Sequence, residues 1–149
     1  MTDRYQGDPK LTLDENGADL TFKGGQPVMD QGIENAAMIS LFTEPNWCGN
    51  IFFQDPNEKI GSQYLEKARQ PITLASLNDT RSAAENALSW MTRSGIASKI
   101  AAVVNNPRTN WLQSVILIQP PGRDLDILLV KKNGSNWISQ KLDPAYLKV

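Results

Sequence analysis

Side chains able to carry covalent or proton-transfer chemistry are sparse in this sequence. It contains no histidine. That removes Ser-His-Asp and Cys-His constellations and the common histidine metal sites together. Cys48 is the only cysteine. It can form no internal disulfide and belongs to no cysteine-rich zinc site. With no histidine to activate it, it reads as a buried, inert thiol. Asp124 and Asp126 alternate on an expected strand and share one face. Such a pair could hold a metal or serve phosphoryl chemistry, but no third ligand stands with it, and flanking solubility charges are the plainer reading. Glu66 and Glu85 read as solvent-facing charges on helices. Gly24-Gly25 lacks the spacing and the Gly-Lys-Ser/Thr ending of a phosphate loop. Carboxylate-only and lysine-based mechanisms stay open in principle, without a motif that pairs the groups. No catalytic, cofactor-binding or metal-ligating residue is assigned, and no cofactor is expected.

The remaining candidates are contact residues, and they cluster around one elbow. Asn46-Trp47-Cys48-Gly49-Asn50 is followed by Ile51-Phe52-Phe53. Trp47, Phe52 and Phe53 have two readings. The plainer one makes them plugs of the core. The sharper one makes part of the elbow a protein-binding surface, because aromatic side chains are favoured as interface anchors.

The elements that must position this elbow follow from local pattern. Asp30 is a good N-cap, and Ile33, Ala37 and Leu41 recur at helical spacing, with Met38 and Phe42 widening the stripe. This predicts a helix from about Gln31 to Phe42, with Glu34 near its positive end. Pro45 disfavours helical geometry at Glu44 and ends it. After a polar loop over 54–59, Ile60-Gly61-Ser62 opens a short helical segment to about Arg69, with Gly61-Ser62 as a close-packing point or an N-cap. The longest helix is expected from about Thr73 to Ser94, roughly 30 Å at 1.5 Å per residue. Leu74, Leu77, Ala84, Leu88 and Met91 mark its inner face, Trp90 reads as core, and Asn78-Asp79 could break it. Gly95 supplies the C-terminal cap.

Before the elbow, Leu11-Thr12-Leu13 and Leu20-Thr21-Phe22 flank Asn16-Gly17, which predicts a small hairpin. Residues 1–10 read as a loose polar arm and Gly24-Gly25-Gln26-Pro27 as a flexible joint. After Ala97 the period changes. Strands are expected at about 98–104, 111–119, 125–131 and 136–141, separated by Asn105-Asn106-Pro107, Pro120-Pro121-Gly122 and Asn133-Gly134. Short separators imply an antiparallel meander. Val115–Ile118 and Ile127–Val130 are continuously apolar, as central strands covered on both faces would be. Residues 142–149 form a tail that Tyr146 and Leu147 would dock. The expected fold is α+β over 1–149 as one domain: an N-terminal hairpin, then two to three helices packed on a C-terminal four-stranded antiparallel meander.

Charge is nearly balanced, 15 basic against 16 acidic residues. That argues against a generally basic nucleic-acid binder, and Lys131, Lys132 and Lys141 read as solvated strand ends. No apolar run approaches a membrane span, and the first ten residues carry no apolar signal region, so the chain is expected to be made in the cytosol.

Four motifs occurring in order resemble the small baseplate protein of Mu-like phages. Asp30-Gln31-Gly32-Ile33-Glu34-Asn35-Ala36 leading into Ile39-Ser40-Leu41-Phe42-Thr43 resembles its D-x-G-[LI]-E-x-A…I-S-L-F-T signature. Trp47-Cys48-Gly49-Asn50 looks like its W-W-G-[DN] elbow, with Cys48 in place of the second tryptophan. Ile60-Gly61-Ser62…Leu65 looks like its G-S-x-L-W segment. Ala84–Met91 followed by Gly95-Ile96-Ala97 looks like its A-x-x-A-L-x-W-[LM]…D-G-[VI]-A helix end. The match spans most of 30–97, and the later strands agree in type only.

The resemblance implies a structural, non-enzymatic wedge subunit of a contractile tail baseplate, similar to the small wedge protein of the T-even baseplate. It would be made in the host bacterial cytoplasm and end in the virion. Its implied partners are the larger wedge subunit and, beyond it, hub or spike and sheath proteins, with no nucleic acid and no membrane. The wider group carries a Glu-Pro-Arg type motif used in wedge assembly. Glu44-Pro45-Asn46 looks like its remnant, without the arginine. The residues expected to meet a partner are Glu44, Pro45, Trp47, Asn50 and Phe52, together with one sheet edge that a partner strand would extend. Two other classes compete: a tail-assembly adaptor or chaperone absent from the finished particle, and a cell-wall hydrolase, which needs a pair of carboxylates across a cleft.

Overall fold

The computed structural model describes residues 8–14, 16–30 and 33–142. Six short strands come first: β1 (Asp8–Pro9), β2 (Leu11–Asp14), β3 (Gly17–Leu20), β4 (Phe22–Lys23), β5 (Gln26–Pro27) and β6 (Met29–Asp30). Helix α1 (Glu34–Phe42), a 3-10 helix (Cys48–Phe52), α2 (Tyr64–Ala68) and α3 (Leu74–Arg93) follow. The chain then forms β7 (Lys99–Asn105), β8 (Trp111–Gln119), β9 (Asp126–Asn133) and β10 (Asn136–Leu142). These four pair antiparallel in the order β10-β9-β8-β7, the meander that the short separators predict. The fold is α+β as expected. Among the described residues no helix is long and apolar enough to cross a membrane.

The N-terminal part is tied down more firmly than its sequence indicates. β2 and β3 form the expected hairpin, with Leu11 opposite Leu20 and Asp14 opposite Gly17. Gly24-Gly25 is a second tight turn and not a flexible joint. Both glycines have positive φ (60° and 74°), the backbone of a two-residue hairpin, and they join β4 to β5. β1 pairs with β6, so the polar arm is anchored from Asp8 onward, while residues 1–7 lie outside the described residues. The Lys10 N–H donates to Val28 O at 2.7 Å and Lys10 O accepts from the Thr21 N–H at 3.0 Å, so three segments cross at one point. The expected docking residues Tyr146 and Leu147 also lie outside the described residues.

Asp30 is not the N-cap of α1. It pairs in β6 with Asp8, which keeps its backbone extended, and the helix begins only at Glu34, with Ile33 at the cap and no side-chain cap bond. The buried Asn35 instead ties the N-terminal strands to α1. Its Oδ1 accepts from the Leu11 N–H at 3.0 Å, and its Nδ2 donates to Pro9 O at 2.6 Å. Glu34, also buried, lies 3.7 Å from Lys10 Nζ.

Helix α3 runs unbroken through Asn78-Asp79. Its start is fixed by a reciprocal cap: the Ser76 N–H donates to Thr73 Oγ1 at 3.0 Å and the Thr73 N–H to Ser76 Oγ at 2.7 Å. Its inner face is Thr80, Ala83, Ala84, Leu88 and Met91. Leu74 does not belong to that face; it is 77% exposed, because the first turn extends past the core. Gly95 ends the helix with φ 80°, and the Ala97 N–H returns to Met91 O at 3.1 Å.

Strand register divides the sheet into two faces. Ala102, Ile116 and Leu128 are successive partners on one face, and they share the core with Ala37, Leu41, Tyr64, Ala84, Leu88 and Met91. Val103, Val115 and Leu129 are partners on the other. Ile127–Val130 is buried throughout, as its sequence predicts, whereas on β8 Val115 and Leu117 stay half-buried.

Each edge strand is met by another part of the chain, β7 by a side chain and β10 by the backbone of β2. Glu85, expected to face solvent, accepts from the Ala102 N–H of β7 at 3.2 Å and pairs with Arg81 at 3.3 Å. Ser139 Oγ of β10 accepts from the Leu13 N–H at 3.2 Å. Strand β9 begins at Asp126, so Asp124 sits in the loop before it and the two aspartates share no strand face. Asp126 pairs with Lys141 at 3.4 Å.

Candidate functional site

The candidate site is the loop from Thr43 to Ser62, which contains the elbow. Helix α1 stops at Phe42, where the Thr43 hydroxyl donates to Ile39 O at 2.6 Å and turns the chain out. Three consecutive short turns then wind the backbone: Trp47 N–H to Glu44 O at 3.1 Å, Asn50 N–H to Trp47 O at 3.0 Å, and Phe53 N–H to Asn50 O at 3.2 Å. Gly49 is needed for space. A Cβ there would overlap Cη2, Cζ3 and Cζ2 of the Trp47 ring, so the indole can sit against residue 49 only because it is glycine. That contact fixes the entry to the 3-10 helix.

Asn50 closes the loop from within. Its Nδ2 donates to Ile60 O at 2.6 Å and to Pro45 O at 3.3 Å, and its Oδ1 accepts from the Ile60 N–H at 2.9 Å. One side-chain amide thus acts as a strand partner for Ile60. The neck is shut by the Ser62 N–H on Thr43 O at 2.8 Å and the Ser62 hydroxyl on Leu41 O at 2.9 Å. Gly61 is the close-packing point. Its φ is 133°, and a Cβ there would stand 2.6 Å from Glu44 O and 2.7 Å from Pro45 Cα. Within the loop the Asp55 carboxylate accepts from the Asn57 N–H at 2.9 Å.

The backbone is therefore held while its apolar side chains face outward. Ile51 is 80% exposed and Phe52 82%; Trp47 is 43% exposed, and Phe53 and Ile60 just exceed a third. The core-plug reading of Trp47, Phe52 and Phe53 is corrected by this, as is the buried reading of Cys48, which is exposed. The physical reason is the tight winding: a 3-10 turn closed by Asn50 has no inner side large enough to take these rings. The furrow on one side of the 56–61 wall, about 410 Å³, lies against α1 and α3 and includes Ile39, Ala87, Trp90 and Arg93. The one on the elbow side, about 500 Å³, includes Pro45, Trp47 and Ile51.

Of the five expected contact residues, Trp47 and Phe52 present apolar surface. Glu44 and Pro45 sit at the neck, where Glu44 pairs with Arg69 at 3.7 Å. Both partners are more than half exposed, so that pair adds little stability. Asn50 points into the loop and is spent on its own backbone. Ile51, which is not among those five, is exposed as fully as Phe52. Its position between Gly49-Asn50 and Phe52-Phe53 was the available signal.

An aromatic cluster centred on a buried tyrosine anchors the loop's far end. Tyr64, the first residue of α2, is fully buried. Its hydroxyl donates to Ser114 Oγ at 2.7 Å. Its ring lies 5.9 Å from both Phe42 and Trp137, edge-on to Phe42. Burial pushes the phenol well above the ordinary tyrosine range, with the Ser114 bond acting weakly in the other direction. Lys132, 6.0 Å above the Trp137 ring, is shifted down by burial and by the nearby Arg69 charge. On the other flank, Trp90 is only partly buried, and its Nε1 donates to the buried Ser40 hydroxyl at 2.8 Å. Among the described residues no three acidic or cysteine side chains converge as metal ligands would.

Comparison with curated proteins finds the Mu-like prophage FluMu protein gp46 of Haemophilus influenzae. It is 28% identical over 120 residues, covering 76% of this chain and 87% of that protein. No family model matches the chain, and no solved structure matches it. The relationship supports a Mu-like phage protein family and a phage-related function.

Proposed function

We propose that this chain is a structural wedge subunit of a contractile phage tail baseplate. It joins a larger wedge subunit, with hub or spike and sheath proteins as further neighbours, and carries out no catalysis. It is made in the host bacterial cytoplasm and ends in the tail of the virion. Three things support the reading: the four motifs in order, the similarity to a Mu-like prophage protein, and a surface built for contact. The observation that carries it is the loop itself, where Ile51 and Phe52 stand in solvent on a backbone that Asn50, Gly61 and Ser62 hold in place. Large apolar side chains fixed outward by dedicated hydrogen bonds add nothing to the core, and an interface anchor is the use they fit. The sheet edges are the weaker candidates, since Glu85 and Leu13 already engage them.

Co-expression with the products of the neighbouring tail genes, followed by size-exclusion chromatography with light scattering, tests the reading. A stable complex with the larger wedge subunit is expected. Trp47→Ala should abolish that complex while the isolated chain stays folded. A lone chain eluting beside folded partners would overturn the reading.

A further inference from the structure

We infer that the sheet face turned away from the helices is a second docking surface. Its occupant is a protein segment that lays apolar side chains across Val103, Val115 and Leu117 and sets a carboxylate in the hollow between Arg108, Trp111 and Lys131. The surface is separate from the 43–62 loop, and the inference stands apart from the wedge reading.

Strand alternation builds this face. Ala102, Ile116 and Leu128 point into the core shared with the helices, so the residues between them point the other way. Register sorts those residues into rows. Val103, Val115 and Leu129 form one row, and Ala101, Leu117 and Ile127 the next. Val103 is 51% exposed, and Val115 and Leu117 are half-buried. On the other side of the Val103 row, Asn105, Gln113, Lys131 and Ile138 are partners. The face thus changes from apolar to basic within one step along the strands. There Arg108, Trp111, Gln113 and Lys131, with Pro107, line a hollow of about 190 Å³. The turn that presents Arg108 and Trp111 is fixed. Asn106 Nδ2 donates to Arg108 O at 2.6 Å and to Trp111 O at 2.5 Å, and the Trp111 N–H donates to Arg108 O at 3.0 Å. A site ordered in advance avoids that cost on binding.

Charge selects the occupant. Residues 98–119 and 127–142, which hold β7, β8, β10 and all of β9 after Asp126, contain no Asp or Glu. Asp126 pairs with Lys141, and Asp124 lies beyond the opposite end of the strands. Among the described residues, Arg108 and Lys131 form no ion pair. Lys132, on the inner face beside Trp137, adds the same sign at this end, and Glu44 on that side is paired with Arg69. Two free cations beside an indole and an amide suit a carboxylate, and the apolar rows next to them suit the dry centre of a protein interface. A second copy meeting this face across a two-fold axis would set like charges against each other. A nucleic acid would lay sugar and phosphate along the apolar rows, so it is the poorer occupant.

The test places a benzoyl-phenylalanine photo-crosslinker at position 103, and at position 74 as control, in chains co-expressed with the neighbouring tail genes. Leu74 is exposed but lies at the start of α3, on the helix side. The expected result is a position-103 adduct with another protein, absent at position 74, whose crosslinked peptide carries Asp or Glu when read by mass spectrometry. Lys131→Glu should cut its yield about ten-fold, and Lys131→Arg should keep it. Lys23→Glu, an equal charge change on exposed β4, should leave it unchanged. Added salt should weaken the adduct of the otherwise unaltered chain, a readout that needs no charge substitution. A partner other than the larger wedge subunit upholds the surface equally. Absence of a position-103 adduct, equal adducts at both positions, an adduct of the chain with itself, an adduct with nucleic acid alone, or a yield that Lys131→Glu does not change would overturn it.

Discussion

Two sets of aromatic side chains lie close together along the chain and are used in opposite ways. Phe42 meets Tyr64 and Trp137 edge to face, and the Tyr64 hydroxyl is bonded to the buried Ser114. Trp47 and Phe52, between the first two of these in sequence, stand in solvent. The difference is set by what the backbone does. At Phe42 and Tyr64 it is helical and packed against the sheet, so each ring has an inner face to occupy. At 48–52 it is wound into a 3-10 turn whose own polar groups use up the interior. The same residue types thus hold the fold together in one place and stay exposed in the other.

Substitutions should separate the two sets. Tyr64→Ala removes a fully buried ring and strands the Ser114 hydroxyl; a loss of about 3–5 kcal/mol in denaturant unfolding is expected. Gly61→Ala sets a Cβ against Glu44 O at positive φ and should cost about 2 kcal/mol or more, with the largest gain in hydrogen exchange at 44–62. Tyr64→Phe keeps the ring and loses one buried bond, about 1–2 kcal/mol. It also changes the pH profile. The folded-state pKa of Tyr64 is raised, so its contribution is complete below the unfolded value and falls as pH climbs past about 10. Wild-type stability should decline there, and the Tyr64→Phe chain should lack that part of the slope. Phe52→Ala should shift stability by no more than about 0.5 kcal/mol, since the ring is already in water, yet remove partner binding. A large destabilisation by Phe52→Ala would erase the contrast.

The fold was readable where its causes are local. Turn residues such as Asn133-Gly134 delimit the meander, and Gly95 marks the end of α3. What was misread depends on contacts distant in sequence. Asp30 has the chemistry of a cap, but its strand partner is Asp8. Glu85 resembles any surface glutamate until β7 brings the Ala102 N–H beside it. The elbow is legible in Trp47, Gly49 and Phe52, and its orientation is left open between two readings, because apolar residues beside a glycine read alike whether they face in or out. Asn50 decides the matter, and its partner Ile60 is ten residues away.

The most direct test of the central claim compares the wild-type chain with an Ile51→Ser/Phe52→Ser chain, each co-expressed with the larger wedge subunit and examined by light scattering. The account predicts a stable wild-type complex and a double variant that unfolds at an unchanged temperature but elutes alone. A double variant that still joins the complex, or a wild-type chain that never does, would contradict it.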